Sequence, residues 1–410
     1  MTARSSLAAR TASVAGGTSF YMLGQLVFMT LLARLGDPIL IGAYALATAI
    51  LNPIFYFSRM GMKLAQATEN TDGFDFQTYK ILRYCLLCAA VGITFVIDLS
   101  LHQPGLVRYV LYVVLAAKIV ESLCDLKYGL FLQANHHHAI AASLSMRAGA
   151  SIVLFGIIWV LADAIIAILA LPIGWAVVYG LHDLRHARQI LKPRATAPVS
   201  LSNLRALFIL LLPLALAGFF GQLGTAVPRY VIGLGISAEV LGQLAPALML
   251  HVFVGAFADS IAQALLPSVA RDLERGRRTE TLSRLVKIAL GLLPLVLTGI
   301  ALSYWAGGWL ITFVFGEGYA LSASYLWVIA LSWSFRAYAT LFENIILGHR
   351  RFKNMLGIHV TGCAIYAVTS LGLWQGFGLT GAIWGIALGS LLYSVLMMMV
   401  SRRLIQSGAA

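Results

Sequence analysis

The stretch YVVLAAKIVESLCDLKYG, Tyr112–Gly129, sets charges among leucines, valines and alanines. Lys118, Glu121 and Asp125 stand at i, i+3 and i+7, a spacing that puts them on one face of a helix. In a soluble protein that face would be a solvated stripe. The rest of the chain argues otherwise. Its 410 residues are 60% hydrophobic and 11% charged, with a mean hydropathy of +0.85. A soluble globular protein is roughly 25% charged. Apolar runs recur along the whole length, each near the ~20 residues a spanning helix needs. They are continuous rather than alternating, which excludes a β-barrel. The expected fold is an all-α polytopic membrane protein, in which these charges need partners or a polar interior.

Working outward, the runs predict twelve spans, near 13–35, 39–58, 83–101, 107–124, 144–162, 164–181, 204–227, 240–266, 285–304, 322–347, 355–375 and 379–401. The even count returns both termini to one side. Most of the 29 lysines and arginines fall on that side: Arg4 and Arg10 before the first span, Arg59, Lys63, Lys80 and Arg83 after the second, Lys127 and Arg147 around the fourth loop. The connectors after spans six, eight and ten and the C-terminal Arg402 and Arg403 continue the pattern. The opposite loops (LGDP, HQPG, LAD, WAGGW, QGFG) are short and almost uncharged. Cations gather on the cytoplasmic side of membrane proteins, so both termini are expected there. The net charge of +13 therefore reads as topology and contact with anionic lipids rather than nucleic-acid binding. The first span is too long for a signal peptide, and no small-residue cleavage site follows it.

Metal or cofactor chemistry finds little support. Cys85 and Cys88 have CxxC spacing, but they lie in an apolar helix with no second pair and read as packing. His136–His138 falls in a cytoplasmic loop and reads as solvated. No phosphate-binding glycine motif and no long outer loop for a catalytic centre is present. The expectation is no enzyme, no metal and no cofactor.

The longest polar connector, His182–Asn203, separates six spans from six, giving an N-lobe over 1–181 and a C-lobe over 204–410. The halves show traces of duplication. GQL recurs at Gly24–Leu26 and Gly221–Leu223, and AQA at Ala65–Ala67 and Ala262–Ala264, both at an offset of 197. Repeats of six spans have parallel topology, so the lobes are expected to be related by a pseudo-two-fold axis along the membrane normal, with a cavity between them that rocking exposes alternately. Pro53, Pro172, Pro213, Pro246 and Pro294 lie in or near spans. Such prolines suit bending between states, and proline is also simply commoner in membrane helices.

Some charges remain inside the bilayer. Lys118 and Arg336 lie deepest, where a charge costs roughly 2.5–3.5 kcal/mol even on the lenient insertion scale. Arg34 and Arg229 end the first and seventh spans at nearly equivalent places. Arg108, Asp98 and Asp163 are expected at the outer interface. Glu121 lies one turn from Lys118, Glu343 seven residues beyond Arg336, and Asp259 in the middle of the eighth span. Two readings stay open: a buried ion-pair network holding the bundle, with Glu121 pairing with Arg336 across the lobes, or a polar cavity for an anionic or proton-coupled substrate. Asp259 has no cation nearby in sequence and is the first candidate for a proton-carrying acid, with Glu121 and Glu343 beside it.

The segments LLARLGDPILIGAYALATAI, VPRYVIGLGISAEVLGQLAPALML, AQALLPSVARDLERG and GFGLTGAIWGIALGSLL resemble the polysaccharide transporters, the Wzx-type flippase branch of the multidrug/oligosaccharidyl-lipid/polysaccharide exporter superfamily. The resemblance covers essentially the whole chain through diffuse motifs. It implies two six-helix lobes, alternating access, and movement of an isoprenoid-diphosphate-linked oligosaccharide of the undecaprenyl type across the bacterial inner membrane. A polysaccharide polymerase or chain-length regulator is the implied protein partner. It also implies a cationic cavity for the diphosphate, which Arg34, Arg59, Lys118, Arg147, Arg229 and Arg336 are placed to form. A drug antiporter of the same superfamily would favour an acidic cavity, and an oligosaccharide polymerase or ligase would need a substantial outer loop. A purely structural scaffold explains neither the duplication nor the buried charges.

Overall fold

The computed structural model describes residues 2–68, 74–191, 199–249, 278–348 and 352–407. Every regular element among them is helical. In chain order the helices are α1 (Thr2–Leu35), α2 (Pro38–Arg59), α3 (Met62–Thr68), α4 (Phe76–Leu101), α5 (Gly105–Gln133), α6 (His137–Leu161), α7 (Ala164–Ala167), α8 (Ala170–Val178), α9 (Leu184–Ile190) and α10 (Leu201–Gly235). They continue as α11 (238–249), then α12 (Arg278–Trp305), α13 (Gly307–Phe315), α14 (Ala320–Gly348) and α15 (Phe352–Ser407).

Local chemistry sets the ends. Asp37 stands before Pro38 at the start of α2, where proline's fixed φ and missing N–H cost nothing. Asp163 caps α7, its carboxylate accepting the Ile166 amide at 2.7 Å. Met60 and Gly61 both take left-handed φ and turn the chain from α2 into α3. Within α15, Gly378 at φ 59°, ψ −137° breaks the helix, a backbone region essentially confined to glycine. That element is therefore two arms, matching the eleventh and twelfth predicted spans.

Two compact units result, Met1–Phe219 and Phe220–Ala410, the division falling within α10. In the first unit α1 packs on α6, and α5 lies among α2, α3 and α8. Met60, Met62, Tyr79, Leu82, Leu126, Leu207 and Leu211 form one core cluster there. In the second, α14 packs along α15, and α12 and α13 pack on α14. Eight segments among the described residues are long and apolar enough to cross a bilayer. Val160, Leu161 and Leu297 are more than half exposed, as lipid-facing side chains are. The protein is a multi-pass membrane protein. Helices α5 and α14, which carry the intramembrane charges discussed below, are not among those eight.

Several details depart from the sequence-based expectation. The WAGGW loop is short, and its last residues already begin α13. There Trp305 and Trp309 are 82% and 68% exposed, and Trp309 stacks on Phe313 with centroids 5.2 Å apart, as aromatics at a membrane interface do. The polar connector expected from His182 begins as helix, through a π-helical turn Tyr179–Asp183 and then α9. Helices α4 and α6 start seven residues before the predicted spans, at Phe76 and His137, because their first turns bury one face against the rest of the unit.

Candidate functional site

The charged face of α5 is answered from several helices of its own unit. Lys118 Nζ donates to Glu121 Oε2 at 2.8 Å, and Arg59, the last residue of α2, donates through Nη1 to Glu121 Oε1 at 3.1 Å. One carboxylate thus serves two cations, each about a fifth exposed or less. A turn further on, Arg83 of α4 donates to Asp125 Oδ2 at 3.1 Å and to Ser122 Oγ at 3.2 Å. Its side chain is fully enclosed. Lys63 adds a looser contact to Asp125 at 3.8 Å.

Arg147 of α6 is 2% exposed. Its guanidinium lies 4.1 Å from the Trp175 ring centroid and 5.4 Å from that of Tyr21, two cation–π contacts that offset part of its lost hydration. Nη1 donates to Tyr128 Oη at 3.4 Å, and Tyr128 pairs with Ser143 at 2.7 Å. Among the described residues, the Nε and Nη2 donors of Arg147 have no hydrogen-bond partner. Around Glu121 the first unit therefore gathers a surplus of positive charge. Just before Arg59, Phe57 and Ser58 help line an apolar cavity of about 370 Å³ with Leu86, Ile93, Leu216 and Phe219.

The second unit holds a comparable cluster. Arg336 of α14 lies over the Tyr393 ring at 4.7 Å and 3.8 Å from Glu343. His359 of α15 reaches the same carboxylate at 3.5 Å through Nε2 and bonds Tyr393 Oη at 3.2 Å through Nδ1. Arg229 of α10 borders a separate cavity of about 50 Å³ with Thr225, Ser332, Trp333, Tyr366 and Ser390.

The predicted residues thus fall in different places. Arg59, Lys118, Glu121 and Arg147 come together in the first unit, and Arg336 with Glu343 in the second. Glu121 and Arg336, expected to pair with each other, each pair inside their own unit. Arg34 is exposed at the end of α1, and Asp259 lies outside the described residues. Asp98, placed at the outer interface by sequence, is 4% exposed and accepts from Arg108 at 3.1 Å and Tyr112 at 2.9 Å. The sequence places Arg83 among the cytoplasmic cations at the edge of the third span; the missed signal is Asp75, which begins the helix about two turns earlier. Tyr21, Trp175, His359 and Tyr393 carried no local signal, because the cations they meet lie on other helices. Asp183, fully buried with one oxygen unpartnered among the described residues, is hidden inside a segment that reads as a linker. Among the described residues, no three His, Cys, Asp or Glu side chains are grouped to hold a metal ion.

Comparison with known proteins gives this arrangement a context. The chain is 24% identical over 300 residues to the capsular polysaccharide biosynthesis protein CapF of Staphylococcus aureus, covering 72% of this chain and 74% of that one. Its fold matches the lipid II flippase MurJ in an inward closed conformation, with a TM-score of 0.76 at 14% identity over 94% of this chain and 86% of that one. It also matches a point mutant of the Vibrio cholerae MATE transporter VcmN, with a TM-score of 0.63 at 15% identity over 98% of this chain and 97% of that one. The model of one family, described as polysaccharide biosynthesis protein, matches residues 7–273, well over half the chain. The chain belongs to the polysaccharide biosynthesis protein family.

Proposed function

We propose that the protein is a flippase that carries an isoprenoid-diphosphate-linked oligosaccharide from the cytoplasmic to the outer leaflet of the bacterial inner membrane by alternating access. Both termini and the basic connectors face the cytoplasm in this reading. The observation that carries it is the surplus of cations around Glu121. Arg59 and Lys118 share that one carboxylate, and the buried Arg147 keeps unused donors. A diphosphate supplies what such a cluster lacks: several acceptor oxygens carrying negative charge, which guanidinium groups bind well. Family membership supports a polysaccharide cargo, and the fold supports a transporter rather than a polymerase or ligase. A drug antiporter that carries cations would need the opposite balance.

Arg59 and Arg147 serve first contact with the diphosphate, Lys118 and Arg336 hold it, and Arg34 and Arg229 receive it as the outer side opens. Glu121 keeps the first-unit cations occupied while no cargo is bound. Coupling to an ion through Asp259, Glu121 or Glu343 completes the cycle. The test is export in a strain lacking the gene. Lys118→Ala and Arg336→Ala, with protein inserted at normal levels, are expected to lower surface polysaccharide at least tenfold. Normal export in both would overturn the cationic-site assignment.

A further inference from the structure

We propose that His359 and Glu343 form a proton-binding site that sets how tightly Arg336 can hold an anion. The proposal rests on the flippase reading, which supplies the anion. It goes beyond that reading in naming a titrating group and its linkage to one cation.

The geometry is that of one carboxylate with two claimants. Arg336 Nη2 lies 3.8 Å from Glu343 Oε2, and His359 Nε2 lies 3.5 Å from Glu343 Oε1. A neutral imidazole has one donor and one acceptor nitrogen. Tyr393 Oη, 3.2 Å from Nδ1, suits the donor role and leaves the ring proton on Nε2, towards Glu343. In that state the full positive charge facing Glu343 is Arg336. When the imidazole takes up a proton, Nδ1–H donates to Tyr393 Oη instead, and the imidazolium balances Glu343. Arg336 is then left against the Tyr393 ring with its charge unanswered, ready for a phosphate oxygen. By linkage, an anion on Arg336 raises the proton affinity of the pair by the same factor. Histidine is the side chain here that changes charge most readily within the range a cell experiences.

The packing makes this a change of charge rather than of position. His359 is 7% exposed. A Cβ at Gly221 of α10 would stand 3.2 Å from Nδ1, and one at Gly362 would collide with the Tyr393 ring, so each ring packs closely against a glycine. Among the described residues, the titratable and charged groups around the imidazole are Arg336 and Glu343 from α14 and Tyr393 from the second arm of α15. Tyr366 and Cys363 lie on its own arm, and α10 contributes Gly221, which carries none.

The test measures binding of farnesyl diphosphate to the purified full chain between pH 5.5 and 8.5, by calorimetry in buffers of different ionisation enthalpy. Wild type is expected to bind about tenfold tighter at the acid end, the effect of a pKa displaced by about one unit, and to take up a proton on binding. His359→Gln should bind weakly with this pH term lost, since Glu343 then keeps Arg336. Glu343→Gln should bind tightly across the range, with the same term lost. The probe's own titration is common to all three proteins and cancels in the comparison. Wild-type pH dependence in either variant, or weaker binding by Glu343→Gln, overturns the proposal; if one variant fails to fold, the other decides. No binding by wild type at any pH would instead overturn the flippase reading, and this inference with it.

Discussion

Removing Asp125 is the sharpest probe of how the first unit holds its interior charges. At 3.1 Å, two unit charges interact by about 5 kcal/mol at an effective dielectric near 20. The Arg83 side chain is fully enclosed, so without Asp125 its charge has Ser122 for support and no ionic partner nearby. Breaking a buried pair from one side typically costs roughly 3–5 kcal/mol. Lys63 sits 3.8 Å from the same carboxylate but is 47% exposed; water screens it, and losing it should cost about 1 kcal/mol or less. Asp125→Ala is therefore expected to lower the melting temperature of the detergent-purified protein by on the order of 10 °C, at about 2–4 °C per kcal/mol for a unit of this size. Lys63→Ala should shift it by a few degrees at most. Arg83→Met combined with Asp125→Leu, which removes both charges, should recover most of the loss. Thermal aggregation followed by size-exclusion chromatography measures all three. Equal shifts for Asp125→Ala and Lys63→Ala, or no recovery in the double variant, would refute the reasoning.

Two further expectations use the same measurement. A Cβ at Gly24 would stand 2.5 Å from Ala148 Cβ, so Gly24→Val should push α1 from α6 and cost about 1–3 kcal/mol, whereas Gly92→Val, with nothing within 4 Å, should be nearly silent; similar melting of the two would show that the close approach does not matter. Asp98→Asn should lower stability by about 1–3 kcal/mol, because Asp98 is buried and accepts from a charged arginine, while export per folded molecule stays normal; loss of export at normal protein levels would place the outer pair in the transport path.

Much of the architecture is legible in the sequence because its signal is local. Spans are set by runs of apolar residues, and helix ends by Asp37–Pro38, Asp163 and Gly378. The link between Lys118 and Glu121 is legible for the same reason, being one turn long. What stays hidden is partnership between helices distant in sequence. Arg83 and Arg147 look like loop cations when the helix is counted from its first hydrophobic residue, yet both lie inside helices that begin earlier. Nothing near Arg147 announces Tyr21 or Trp175, and nothing near Glu343 announces His359. Beyond that one turn of α5, which charge answers which is not written in the sequence.

The exposed aromatic strip at the end of α12 also fixes a depth. With Trp305 at one interface and a rise of 1.5 Å per residue, a hydrocarbon layer of about 30 Å is used up after about 20 residues. That brings the far boundary to about residue 286, where the apolar part of the 28-residue helix begins. Residues 278–285 then project into the opposite headgroup layer as a rigid continuation of the span, with Lys287 exposed at its base. The helix works as a dipstick, weighted by tryptophan at one end and by positive charge at the other. A thinner bilayer, or one poor in anionic lipid, should change the tilt of this helix before it disturbs any cation near Glu121 or Glu343.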